Sequence, residues 1–128
     1  MILLLISYFL SILNIFVSKY LFGIDGCVIN RGIAFGISIQ YIFIISIFLL
    51  IALIILGYMS KGSLRYILFS ILLFGLSNLI VRLLLGGICD YIPMYFLTIN
   101  IADLGVVLLS IYCVIKIMEL DIRKSKKK

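Results

Sequence analysis

The stretch Gly86–Asp103, GGICDYIPMYFLTINIAD, separates two long apolar runs and holds two of the five acidic residues in a chain of 128. Asp90 and Asp103 are thirteen positions apart, so one continuous helix would keep them roughly 20 Å from each other at about 1.5 Å per residue. Gly86, Gly87 and Pro93 interrupt any such helix, because glycine leaves the backbone loose and the proline ring clashes with the preceding turn. A chain that ends one helix here and re-enters with the next can bring the two carboxylates together. Carboxylates within a few ångströms cannot both ionise cheaply and so share a proton, which is what general acid/base attack of water on an amide uses.

Outward from this stretch the chain is built from apolar runs. It is 66% hydrophobic with a mean hydropathy of +1.39 and only 12% charged residues, well above the roughly half-apolar average of soluble domains. Four runs, at about 2–22, 37–59, 66–85 and 99–118, approach or exceed the roughly 20 residues that cross a bilayer core. The expected fold is an all-α membrane protein, a four-transmembrane-helix bundle forming a single domain over 1–128. The first run follows Met1 with no basic segment and ends without a small-residue cleavage site, so it is expected to stay as a membrane helix. Residues 23–36 break the hydrophobicity with four glycines, Asp25, Asn30 and Arg31, which predicts an external loop with a small extended or β element around Cys27 to Ile29.

Charge orients the bundle. Five of the eleven basic residues lie in the tail, RKSKKK at 123–128, within a basic segment 119–128, and the 60–65 loop, SKGSLR, is also basic. The positive-inside rule then places both termini in the cytoplasm, and Asp25, Asp90 and Asp103 at the outer face. The net charge of +6 is thus a topology signal, and no nucleic-acid partner is indicated. Lys19 sits near the outer end of the first span, where its stem can reach the headgroups.

The spans carry few polar residues, and these are informative. Gly75, Asn78 and Arg82 fall three and four apart on one face of the third span. Exposing that face to hydrocarbon costs several kcal/mol, so it points into the bundle or toward water, as interhelical glue or as part of a site. Asn100 and Asp103 share a face at the start of the fourth span. A carboxylate there is protonated, paired, for instance with Arg82, or wetted by a cavity.

The absence of histidine excludes Ser-His-Asp and Cys-His catalysis and histidine-ligated metal. Cys27, Cys89 and Cys113 show no CxxC spacing. Cys27 and Cys89 can face the same side, which leaves a disulfide open, but small apolar filler is the expected role of all three.

With these residues in place, the chain resembles the lipoprotein signal peptidase family, the bacterial signal peptidase II, an intramembrane aspartic protease. NRGIAFG at 30–36 looks like the family's first-loop signature, LSNLIVRLLLGGICDYI at 76–92 is similar to its third-helix block and the element after it, and NIAD at 100–103 to its Asn-x-Ala-Asp. The resemblance covers nearly the whole chain. It implies Asp90 and Asp103 as the catalytic pair, with Asn30, Gly32, Phe35, Asn78, Arg82 and Asn100 binding substrate or supporting the site. It implies no cofactor or metal, a lipidated prolipoprotein substrate and membrane lipid as partners, and a monomer in the bacterial plasma membrane with its site toward the outer face. The chain departs from the family pattern at four positions: Val81 and Ile15, where the family usually has Asp, Ser77 in place of Gly, and Ile99 in place of Phe. A relative that binds lipidated peptides without cleaving them, and a small channel or transporter subunit, are the rival readings.

Overall fold

The computed structural model describes residues 1–31 and 39–125. Four helices, α1 (Ile2–Gly23), α2 (Ile39–Met59), α3 (Ser63–Leu85) and α4 (Ile101–Ser125), are each long and apolar enough to cross a membrane. A short strand β1 (Val28–Asn30) follows α1, and β2 (Ile88–Asp90), β3 (Ile92–Met94) and β4 (Leu97–Ile99) lie between α3 and α4. The protein is an all-α membrane protein with small antiparallel strand pairs at one end.

Helix α3 is the central element, with α1, α2 and α4 packed around it. The reason lies in its small residues and those of its neighbours. In lipid the hydrophobic effect does not drive helices together, so small and hydrogen-bonding side chains mark the contacts. The buried face of α1 is Ser7, Ser11, Asn14 and Ser18, spaced four, three and four apart on one side. Against it, Ser77 Oγ donates to Ser11 O at 3.0 Å and Asn14 Nδ2 donates to Ser77 Oγ at 2.9 Å. On α4, a Cβ added at Gly105 would stand 2.5–2.7 Å from the Phe74 ring of α3, so this crossing requires glycine. Ile67, Leu68, Ile71 and Cys113 form an apolar cluster where α3 packs on α4. Phe9, Phe16, Phe48 and many Ile and Leu side chains are exposed, as surfaces facing lipid would be.

The strands arise where the helix-breaking residues stand. Gly86 closes α3 in the left-handed conformation, φ 71°, with its N–H on Arg82 O at 2.9 Å; a side chain would be strained there. The chain then runs into β2, antiparallel to β1 in the register Val28↔Asp90, Ile29↔Cys89 and Asn30↔Ile88. Gly87 makes this approach possible, because a Cβ would lie 2.7 Å from Ile29 Cγ2. Strands β3 and β4 form a hairpin with Ile92↔Ile99, Pro93↔Thr98 and Met94↔Leu97.

The first-loop strand overlaps the segment expected to be extended, whereas β2, β3 and β4 are additional to expectation. Helix α3 starts at Ser63, three residues early, and Arg65 in its first turn donates to Ser60 O at 2.9 Å, tying it to the end of α2. Helix α4 begins at Ile101, after Asn100, and continues to Ser125 through most of the segment read as a tail. A Lys116–Glu119 ion pair of 3.0 Å supports that extension. The cysteine expectation needs correction. Cys27 and Cys89 form a disulfide, because the β1–β2 pairing brings their Cα atoms to 5.4 Å. Cys113 is free and buried, as filler should be.

Candidate active site

Asn100 is the residue on which the site is assembled. As the residue before α4 it caps the helix, its Oδ1 accepting the Asp103 N–H at 2.9 Å while its own N–H donates to Asp103 Oδ2 at 3.4 Å. This reciprocal pair is a capping box with aspartate in the third position. The fully buried Asn100 side chain also donates through Nδ2 to Asp90 Oδ1 at 3.1 Å. One amide therefore touches the carboxylate on β2 and the backbone of the residue carrying the other. The sequence folds this way because Gly86 and Gly87 turn the chain back over the bundle and the β3–β4 hairpin returns it to the start of α4.

Asp90 is 3% exposed. Burial pushes its carboxyl above the usual carboxylate range, and the Asp103 charge adds to that. Hydrogen bonds from the Asn30 and Asn100 side chains and the Arg82 charge oppose the rise without cancelling it. Asp103 is half-buried and receives Asn78 Nδ2 on Oδ1 at 2.7 Å. It also lies in the first turn of α4, where the helix dipole favours an anion.

Each carboxylate lines a hollow of its own. A cleft of about 310 Å³ between α2, α3 and α4 is lined by Asn78, Arg82 and Asp103 and by apolar residues such as Leu49, Leu53 and Val107. A hollow of about 430 Å³ beside the strands is lined by Asn30, Arg31, Asp90 and Thr98. Among the described residues Asn78 Oδ1 is buried without a partner. Arg82 acts electrostatically on both carboxylates, but among the described residues it makes no ion pair with Asp103, whose close partner is Asn78. Among the described residues no group of three or more His, Cys, Asp or Glu is placed to hold a metal.

The sequence-predicted residues Asp90, Asp103, Asn30, Asn78, Arg82 and Asn100 thus come together around one point. Gly32 and Phe35 lie outside the described residues. Two side chains were missed. Tyr91 OH donates to Asn14 Oδ1 at 2.9 Å, and Asn14 is wholly buried. Their signal was available, since Asn14 lies in the Ser7/Ser11/Asn14/Ser18 stripe of an otherwise apolar span.

The sequence model of the family described as Signal peptidase (SPase) II matches residues 4–119, nearly the whole chain, a span within which Asp90, Asp103, Asn30, Asn78, Arg82 and Asn100 fall. The chain belongs to the signal peptidase II family. No curated protein and no solved structure matches it significantly. Membership makes it a multi-pass membrane protein of a family of aspartic-type peptidases that process lipoproteins. Against the family's usual pattern, Val81 is 1% exposed and packed in the core, so the carboxylate usual there is replaced by an apolar contact. Ile15 likewise adds no charge, but the residue before it, Asn14, is the polar anchor that Tyr91 meets.

Proposed function

We propose that this chain is an intramembrane aspartyl endopeptidase that removes the signal peptide from diacylglyceryl-modified prolipoproteins, with Asp90 and Asp103 as the catalytic pair. The observation that carries this reading is Asn100, whose buried side chain bonds the Asp90 carboxylate and the Asp103 backbone N–H while its own N–H donates to the Asp103 carboxylate. Asp103 is the base, because it faces the cleft, sits at a helix N-terminus and accepts N–H donors on both oxygens. Asp90 holds the proton of the pair, because at 3% exposed it is the more deeply buried of the two, whereas Asp103 is half-buried and opens onto the cleft. Asp103 takes a proton from water as the water oxygen attacks the scissile carbonyl carbon. Asp90 then gives its proton to the leaving nitrogen as the C–N bond breaks, and the product carboxyl and amine separate. The pair titrates as a unit.

The two hollows suit the two parts of such a substrate. The apolar cleft takes the signal helix and lipid, and the polar hollow takes the segment beyond the modified cysteine. Asn78 Oδ1, buried without a partner among the described residues, accepts a substrate amide N–H. The positive-inside reading sets both termini in the cytoplasm and the pair at the outer face of the plasma membrane. The chain acts as a monomer and a single domain. Incubating purified protein with lipidated and unlipidated precursors, and weighing the products, tests the reading. Cleavage just before the lipidated cysteine, and only there, is expected; an intact lipidated precursor rejects the protease reading in favour of a binding role.

A further inference from the structure

A chain of hydrogen bonds lies behind the carboxylate pair and belongs to no step of the proposed reaction. Tyr91 follows Asp90 directly and is fixed by its backbone, whose N–H donates to Ile99 O at 3.1 Å. Its phenol donates to Asn14 Oδ1 on α1 at 2.9 Å, and the phenol oxygen accepts the Ile101 N–H at 3.4 Å. Asn14 passes the connection on through Nδ2 to Ser77 Oγ on α3, which donates to Ser11 O. Three helices and the strand carrying Asp90 are thereby joined through one phenol.

The placement of its ends gives this chain meaning. Tyr91 is one residue from Asp90, and Ile101 lies between Asn100 and Asp103. The phenol thus pins the strand of one carboxylate to the helix start of the other, and Asn14 anchors it to a third element. Asn14 is 0% exposed and Ser77 1% exposed, so a broken link strands a polar group where no water replaces it. Burial also pushes the Tyr91 phenol above its ordinary value, which keeps its proton in place as a donor.

We infer that Tyr91, held by Asn14, is a positioning residue that sets the separation of Asp90 and Asp103; the inference rests on the proposed peptidase reading. It touches neither substrate nor the reacting atoms. It fixes the register in which the Asn100 amide meets Asp90, and a misplacement of about 1 Å at such a pair is enough to cost about 10²-fold in rate.

The test is steady-state cleavage of a diacylglyceryl-modified precursor peptide by the full chain in lipid, comparing wild type with Tyr91→Phe, Asn14→Leu and the double variant. Melting profiles normalise each rate to folded protein. Each single change is expected to lower kcat about 10- to 100-fold with KM within about twofold. The double variant is expected to lose no more than either single one, because one chain is cut in all three. The alkaline limb of the rate profile is expected to move to higher pH, because Asp90 loses part of the Asn100 hydrogen bond that favours its ionised form. A merely structural role leaves that limb in place, and this result overturns the inference, as do additive losses or an unchanged kcat. If Tyr91→Phe does not fold, Asn14→Leu alone must still show the kcat loss and the moved limb. Wild type that leaves the precursor intact overturns the peptidase reading and this inference with it, whereas an active wild type with an indifferent Tyr91→Phe overturns the inference alone.

Discussion

The Asn100 side chain donates to Asp90 Oδ1 at 3.1 Å while its other amide atom caps the helix that bears Asp103. The same amide is thus a stability element and the link between the two acids. Replacing a capping side chain by alanine costs about 1 kcal/mol, too little to unfold a bundle but enough to free the Asp90 carboxylate and loosen the helix start that bears Asp103.

Asn100→Ala is therefore expected to lower the cleavage rate far more than the stability. A rate loss of about 10²-fold with a small drop in melting temperature is the expected pattern. Asn100→Asp keeps the cap acceptor but sets a third carboxylate against Asp90, and it is expected to be as slow as alanine. Near-wild-type turnover in Asn100→Ala, measured on a lipidated precursor, counts against the link.

The Cys27–Cys89 disulfide closes a loop across 62 residues and abuts Asp90. By chain entropy such a closure stabilises by at most about 4 kcal/mol, less where membrane helices persist in the unfolded state. Its local effect is larger, because the β1–β2 pairing is only three residues long. Thiol reductant is expected to slow the wild-type enzyme, and the Cys27→Ser/Cys89→Ser variant is expected to be slow already and indifferent to reductant. Full wild-type activity after alkylation shows the bond open would remove the disulfide from the account.

Gly105 lies two residues after Asp103, against the Phe74 ring. Gly105→Ala is expected to force α3 and α4 apart at a cost of about 1–3 kcal/mol, read as a lower melting temperature, with reduced cleavage because Asn78 and Asp103 lie on the two helices. Adding Phe74→Leu makes room for the new methyl and is expected to recover part of both losses. Equal losses with and without the second change would place the effect elsewhere.

The raised Asp90 carboxyl sets the sign of the pH dependence. Its native value lies above the unfolded value, so between the two the native state holds a proton that the unfolded chain has lost. Stability from this group is thus fully present below the ordinary carboxylate range and falls as pH rises through the native value. Activity falls in the same direction, as the pair loses the proton that Asp90 donates, and it falls again in acid when Asp103 is protonated. A bell-shaped kcat profile whose alkaline limb disappears in Asp90→Asn, with only residual rate left, is expected; a flat profile in the wild type contradicts it.

The helices were legible in the sequence because runs of Ile, Leu and Phe of bilayer length leave few alternatives. The convergence of Asn78, Arg82, Asn100 and Asp103 was legible as well, since polar groups in such helices must face inward. The strands after α3 were not. At three residues each they are too short for a two-residue period to register, and they depend on Gly87 and the pairing with β1. The disulfide, open in the sequence but ranked behind apolar filler, could not be decided there for the same reason, as it follows from the register that sets Val28 against Asp90. Tyr91 and Asn14 escaped because their meeting needs the β2 turn to reach down to α1, although the stripe from Ser7 to Ser18 already marked the face where α1 would pack. Arg82 was read as a possible partner of Asp103, and sequence spacing alone could not tell that Asn78, one turn earlier, would take that place.

The most direct test of the central claim is the initial rate at which wild type, Asp90→Asn and Asp103→Asn cleave a diacylglyceryl-modified precursor at equal folded concentration. Each substitution preserves shape and removes one acid/base group, so a loss of about 10²- to 10⁴-fold in each is expected, with the wild type cutting before the lipidated cysteine. Cleavage by either variant within tenfold of the wild-type rate contradicts a mechanism carried by this pair.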